Sequence, residues 1–331
     1  MSRQPLVSIL TPTYNHAELI GPCIESVLAQ TDDRWEQIIV DDGSTDATWS
    51  EVQRYAARDE RIQAVRQSHK GAARLAETYN AALARANGTY IAVLEGDDWW
   101  LPNKLASQLP AFTSNTILSY GAYFDEINGH LQPGRRPSFV GHIPCDDFLS
   151  SVLLHRSFMI AVTQMIRKDA LLAIGGFHQD GSPAAVDLAT LLRLVQSGGN
   201  VCYVAEPLGV WRHHAAQSTN RRAIELAMFN ARLALHTYDT LTPARKADLG
   251  LQRQAIVQAR RAQIAEAYFG VLRSHLRTRQ RRGVYALIAG TWRYGDFKRK
   301  LEAVYALGGT LLGYDFEPIL RLAARLGSTG V

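Results

Sequence analysis

Apolar residues follow two rhythms along the N-terminal part of the chain. The runs Leu6–Leu10, Trp35–Val40, Ile62–Val65 and Tyr90–Leu94 are short and rich in β-branched and aliphatic side chains, which predicts strands. Between them the apolar positions recur at helical spacing. Leu19, Ile20, Ile24, Val27 and Leu28 form one stripe over 16–30, and a second helix is expected over 71–86, stopped by Asn87-Gly88. Strands alternating with helices require crossover connections, so the expected class is α/β with a mostly parallel sheet flanked by helices.

Further on, Ile117–Phe124 and Phe158–Ile166 read as strands. Gly175-Gly176-Phe177 reads as a tight turn, Ala185–Arg193 as the start of a helix, and Val201–Val204 and Pro207–Val210 as the last strands. From about residue 220 the texture changes to Ala-, Leu- and Arg-rich segments of helical period, 221–237, 243–279 and 283 onward. They show no exact repeat and no sustained heptads. The expected organisation is therefore a catalytic or binding domain over 1–219 and a basic α-helical region over 220–331.

Charge sharpens that division. The net charge of +5 conceals −6 over residues 1–220 and +11 over 221–331. No run approaches the roughly 18 apolar residues of a membrane span, and no secretory apolar region is seen near the start. Cys23, Cys145 and Cys202 have no metal-like spacing and read as reduced thiols. A cytoplasmic protein is expected, with the inner face of a membrane as a possible station.

The chemistry gathers where strands end. The first strand runs into Thr11-Pro12-Thr13-Tyr14-Asn15, and the second into Asp41-Asp42-Gly43-Ser44-Thr45-Asp46, where Ser44 or Thr45 is expected to cap the next helix. The strand at 90–94 runs into Glu95-Gly96-Asp97-Asp98. In open α/β sheets ligands bind beyond the carboxyl ends of the strands. Three carboxylates within four positions repel one another unless a cation sits among them, and oxygen ligands suit Mg²⁺ or Mn²⁺ shared with phosphate. The alternative is an acidic turn that merely leads into a helix near Pro102. Neither Gly-x-Gly-x-x-Gly nor Gly-x-x-x-x-Gly-Lys-[Ser/Thr] follows the first strand, so dinucleotide and phosphate-loop chemistry are not indicated.

Taken together, Val7–Asn15, Ile39–Asp46 and Leu94–Asp98 resemble the family 2 inverting glycosyltransferases of GT-A (Rossmann-like) fold, in order, spacing and strand context over about residues 5–215. The resemblance implies a nucleoside-diphosphate sugar donor, with uridine the favoured base, a divalent cation (Mg²⁺ or Mn²⁺), and a saccharide or lipid-linked acceptor hydroxyl. Carried over by position, Thr11, Tyr14, Asn15 and Asp42 would hold the base, and Lys70, Arg74 and Asn80 would line the donor site. Asp97 and Asp98 would reach ribose and metal. Glu95 stands where the family's first aspartate is usual, which lengthens that arm by a methylene. Asp187 fits the general base, although Val186 replaces the usual preceding acid. Arg212 would stabilise the departing diphosphate, and His214 would reach the metal or a phosphate oxygen. Arg135 and Arg136 lie in a loop that such enzymes can close over a ligand. Arg193 is expected to be structural.

The resemblance says nothing about the C-terminal region. There Arg253, Arg260, Arg261, Arg273, Arg277, Arg279, Arg281 and Arg282 precede Trp292, Tyr294 and Phe297 beside Lys298–Lys300. Such helices suit peripheral contact with anionic lipid, an acidic acceptor, or simple solvation, and no nucleic-acid motif accompanies them. Two rival functions stay open: a nucleotidyltransferase, and a non-catalytic nucleotide-sugar-binding protein on the same fold.

Overall fold

The computed structural model describes residues 5–157, 159–182, 185–214, 217, 222–277 and 283–312. Arg279, Arg281 and Arg282 lie outside these, as does the first residue of the strand expected from Phe158. By compactness the chain forms two units, one of residues 1–152 and 156–218, the other of 153–155 and 219–331.

Among the described residues, the first unit is built on ten strands. In chain order they are β1 (Val7–Thr13), β2 (Trp35–Asp41), β3 (Ile62–Arg66), β4 (Tyr90–Val93), β5 (Trp99–Trp100), β6 (Thr116–Ile127), β7 (His130–Pro133), β8 (Gly141–Pro144), β9 (Met165–Arg167) and β10 (Asn200–His213). They make one sheet in the order β3-β2-β1-β4-β9-β6-β10-β5, with β7 on β6 and β8 on β10. Its N-terminal half, β3-β2-β1-β4, is parallel throughout. The later strands add antiparallel pairs, β9 against both β4 and β6 and β5 against β10, so the sheet as a whole is mixed.

Helices α1 (Ile20–Leu28), α2 (Thr48–Ala56) and α3 (Leu75–Leu83) supply the crossovers. Ile20, Ile24 and Val27 of the expected stripe are fully buried, and they pack with Val7, Ile9, Ile39, Val52 and Trp100 in one cluster. Burying a side chain of that size contributes about 1.5–3 kcal/mol. The parallel register aligns Thr13 with Asp41, and Leu10 with Val93. Three strand ends, and the polar segments that follow them, therefore open on one edge.

Local expectations differ in three places. Residues 159–167 hold a 3₁₀ turn at Ala161–Thr163 followed by the three-residue β9, and the Gln164 carbonyl accepts the Val93 N–H of β4. The basic loop after 129 begins as β7, paired with β6, and the Arg135 N–H donates to the Tyr123 hydroxyl. The cap of α2 comes from neither Ser44 nor Thr45. Asp46 accepts from the Thr48 N–H, while Ser44 accepts from the Asn15 N–H.

After the short helices α4 (Lys104–Gln108), α5 (Cys145–Leu153) and α6 (Lys168–Ala173), helix α7 (Asp187–Val195) completes the first unit. The second contains α8 (Ala223–Thr240), α9 (Pro243–Leu249), α10 (Arg253–Arg277), α11 (Val284–Tyr294) and α12 (Phe297–Leu312). Its basic tract is not one solvated stripe. Arg253 pairs with Asp239, and Arg261 donates to the Arg293 carbonyl. Arg260 is buried and donates to the Leu153 carbonyl, and burial draws its guanidinium down to about 10. No helix among the described residues is long and apolar enough to cross a membrane.

Candidate active site

The end of β4 builds the centre. Gly96 N–H donates to the Pro12 carbonyl and Asp98 N–H to the Glu95 carbonyl, folding the acidic turn against β1. Gly96 is required there by space: a Cβ would stand 2.5 Å from Thr13 Oγ1 and 3.1 Å from His16 Nδ1. The turn presents Glu95, Asp97 and Asp98 together, with ligand atoms within 4.8 Å of one another.

These carboxyls are poorly hydrated and crowded. Burial, the Asp97 charge and the Asp187 charge push Glu95 up to about 8, and its Oε1 accepts from the Tyr79 hydroxyl at 2.7 Å. Burial, then Asp97 and Glu95, push Asp98 well above the ordinary aspartate value, although its carboxylate accepts the Arg212 N–H at 2.9 Å. Burial alone would raise Asp97 too. The hydrogen bond with His214 and the charge of His16 outweigh it and leave Asp97 below its usual value. Groups that resist ionising side by side fit a site completed by a cation.

The other wall comes from the last strand of the first unit. Strand β10 and the residue that follows it bring Arg212 and His214 to the acidic turn, with His214 Nε2 2.9 Å from Asp97 Oδ2. The adjacent His213 turns away to Asp125, at 2.7 Å, so the two histidines serve different carboxylates. The Arg212 guanidinium lies over Trp99 at 4.5 Å, with Nε 3.3 Å from Glu126. Asp187 opens α7 and faces the same cluster, its charge acting on both Glu95 and Tyr79. Burial raises its carboxyl to about 6, partly countered by the Gln164 amide.

The expected donor-site residues divide. Tyr14 is 37% exposed and stacks on His69 with ring centroids 4.1 Å apart. Asp42 is buried, and its carboxylate accepts the N–H groups of Lys70 and Gly71 and the Gln67 amide. Lys70 and Arg74 both engage Glu77. Asn15 ties two turns, donating its N–H to Ser44 and accepting from Thr45. Two residues have partners elsewhere in the fold. Thr11 is fully buried with its hydroxyl accepting from Gln37, and Asn80 exchanges two 2.9 Å bonds with the backbone of Phe177. Arg193 pairs with Asp180.

Sequence reasoning missed Thr13, His16 and His69. Thr13 lies two residues beyond Thr11 on the same face of β1, so strand alternation alone could not choose between them. His16 has no motif of its own. It reaches the site because Thr48 Oγ1 accepts its N–H and Asp46 accepts that of Ala17.

Known proteins resemble this chain in sequence and in fold. The family model described as glycosyl transferase family 2 matches residues 8–175. The Bacillus subtilis protein TuaG, named for teichuronic acid biosynthesis, is 46% identical over 213 residues, 63% of this chain and 79% of its own. Escherichia coli WfgD, named a UDP-Glc:α-D-GlcNAc-diphosphoundecaprenol β-1,3-glucosyltransferase, is 41% identical over 132 residues, 39% of this chain and 50% of its own. Among solved structures, S. aureus TarS 1–349 with UDP-GlcNAc superposes with a TM-score of 0.61 at 15% identity, covering 97% of this chain and 92% of that one. The Pyrobaculum calidifontis mannosyltransferase PcManGT, solved with GDP-Man and Mn²⁺, gives 0.56 at 18%, covering 98% and 84%. The extent of the family match and the likeness to TuaG, on a sheet and helices of the same fold as TarS, make this chain a member of glycosyltransferase family 2.

Proposed function

We propose that this glycosyltransferase moves a sugar from a nucleoside diphosphate, with uridine as the favoured base, to an acceptor hydroxyl with inversion at the anomeric carbon. The observation that carries the reading is the convergence of Asp187 with Glu95, Asp97, Asp98 and His214 at the carboxyl edge of the sheet. Asp97, Asp98 and His214 would hold a Mg²⁺ or Mn²⁺ ion, with Glu95 beside them. When bound, that ion supplies Lewis-acid stabilisation of charge on the diphosphate.

The protein's own groups do the rest. Asp187 accepts the proton of the acceptor hydroxyl as that oxygen attacks; a carboxyl near 6 is ionised at neutral pH yet more basic than an ordinary aspartate. Arg212, fixed through its backbone to Asp98, adds positive charge where the leaving group departs. The exposed face of Tyr14, stacked on His69, offers a platform for the base, and Asp42, ordered by Lys70 and Gly71, stands beside it. Donor affinity comes from the base platform, and rate comes from groups facing the developing charge.

The acceptor is proposed to be a saccharide or lipid-linked hydroxyl in surface polysaccharide or glycolipid synthesis, supported by the names of TuaG and WfgD. In the second unit, exposed Trp292, Phe297, Leu301 and Val304 accompany Lys298, Arg299 and Lys300, which suits peripheral contact with anionic lipid at the cytoplasmic face. Release of UDP from UDP-sugars, with and without an acceptor extract, tests the reading. Turnover should require a divalent ion and vanish in Asp187→Asn while donor binding persists. Full turnover in that variant would remove the assigned base.

A further inference from the structure

Asp97 belongs to two clusters at once. One is the run of carboxylates at the end of β4, and the other is His16, Asp97 and His214, whose ligand atoms also lie within 4.8 Å of one another. The two imidazoles come from segments nearly two hundred residues apart, the turn after β1 and the end of β10, and both aim Nε2 at Asp97 Oδ2.

The distances separate ligation from ordinary pairing. His214 Nε2 is 2.9 Å from Asp97 Oδ2, a hydrogen bond in its own right. His16 Nε2 is 3.9 Å from the same oxygen, too far for one. Donor atoms at about 2.0–2.2 Å from one ion lie roughly 3–3.5 Å apart, so both separations come close to that spacing. The imidazole rings meet edge to face, 89° between planes, with centroids 6.2 Å apart, which keeps them from stacking on each other.

His16 is also held as a ligand would be. Its Nδ1 is 3.2 Å from Thr13 Oγ1, and an Nδ1–H donated to that hydroxyl leaves the Nε2 lone pair directed into the site. Its backbone N–H is fixed by Thr48 Oγ1, and Gly96 leaves the room in which ring and acidic turn meet. A solvated surface histidine has no need of this support.

We propose that His16 is a direct ligand of the divalent ion, so that the site offers two imidazole nitrogens and the Asp97 carboxylate and favours Mn²⁺ and Co²⁺ over Mg²⁺. This rests on the reading of the site as metal-holding. Mg²⁺ prefers oxygen donors and dehydrates reluctantly, whereas imidazole raises affinity along the transition series. Asp98 and Glu95 then meet the ion or the donor from the opposite side of Asp97.

The test is Mn²⁺ bound to the full chain without donor, read by electron spin echo envelope modulation, which detects imidazole nitrogen at the ion. Wild type should show two coupled nitrogens, and His16→Ala and His214→Ala one each. His16→Ala should also weaken Mn²⁺ at least about tenfold, since even an outer partner of a ligand is worth that much, and weaken Mg²⁺ less. A single nitrogen in wild type, lost only in His214→Ala, would overturn the role of His16 while leaving the metal reading intact. Absence of any bound Mn²⁺ would overturn both. The wild-type spectrum decides the matter even if His16→Ala does not fold.

Discussion

His214 Nε2 stands 2.9 Å from Asp97 Oδ2 across 117 residues of sequence, tying the last strand of the sheet to the acidic turn after β4. This contact and the charge of His16 offset the burial of Asp97 and hold its carboxyl below the usual aspartate value beside two other carboxyls. His214→Ala should therefore destabilise the metal-free protein by about 1.5–3 kcal/mol, the range for a hydrogen bond to a charged group. A urea denaturation midpoint in the presence of EDTA measures it; an unchanged midpoint would mean that the pair contributes nothing to folding.

Gly96 leads to a steric prediction. A methyl group there would overlap Thr13 Oγ1 and crowd His16 Nδ1. Gly96→Ala should cost about 1–3 kcal/mol through overpacking and lower Mn²⁺ affinity along with stability. Calorimetric melting and metal titration of the same preparation check both effects.

Asn80 is expected to act through structure rather than through the donor. Its amide exchanges hydrogen bonds with the Phe177 N–H and carbonyl, and Gly176, with φ of +90°, passes so close that a Cβ would meet Asn80 Oδ1 at 2.5 Å. Asn80→Ala leaves two backbone groups unpaired, about 1–3 kcal/mol each where they stay buried. The predicted result is a lowered melting temperature with little change in donor KM. A large rise in KM at unchanged stability would return Asn80 to the donor site.

Asp187 sets a pH dependence in two senses. As the proposed base it must be ionised, so kcat/KM should fall about tenfold per pH unit below about 6 and level off above. Its effect on stability has the opposite sign. A carboxyl raised in the folded state binds its proton more tightly there than in the unfolded chain, so stability is lost as pH rises from about 4 to 6. Asp187→Asn, uncharged throughout, should then melt above wild type at pH 7.5 and close to it near pH 4. At about 1.4 kcal/mol per pH unit the gain has a ceiling near 3 kcal/mol. A variant that melts below wild type at pH 7.5 would show that the aspartate has a stabilising partner when ionised.

Residues 5–94 were the most legible part of the chain because β1, β2 and most of β4 are buried on both faces and α1 carries one apolar stripe. Both patterns are local, and so Val7–Thr13, Trp35–Asp41, α1 and α3 follow from them. The later strands depend on distant partners. β5 is only Trp99-Trp100 and exists because β10 pairs with it, and β9 is three residues long, held by β4 and β6. Within the site, the acidic turn and Asp187 carry recognisable spacing, and the fold brings them together. His16 and Thr13 belong there only through contacts made across the sheet edge, which no window of sequence contains. The resemblance sets Lys70 and Arg74 along the donor site, and in the folded chain both engage Glu77.

The most direct measurement is calorimetric titration of UDP into the full chain with Mn²⁺, repeated in EDTA and with Asp97→Asn. The account predicts saturable binding with Mn²⁺ that weakens at least tenfold in both controls, because the diphosphate is held through the ion and the ion through Asp97. Equal affinity in all three titrations would contradict it.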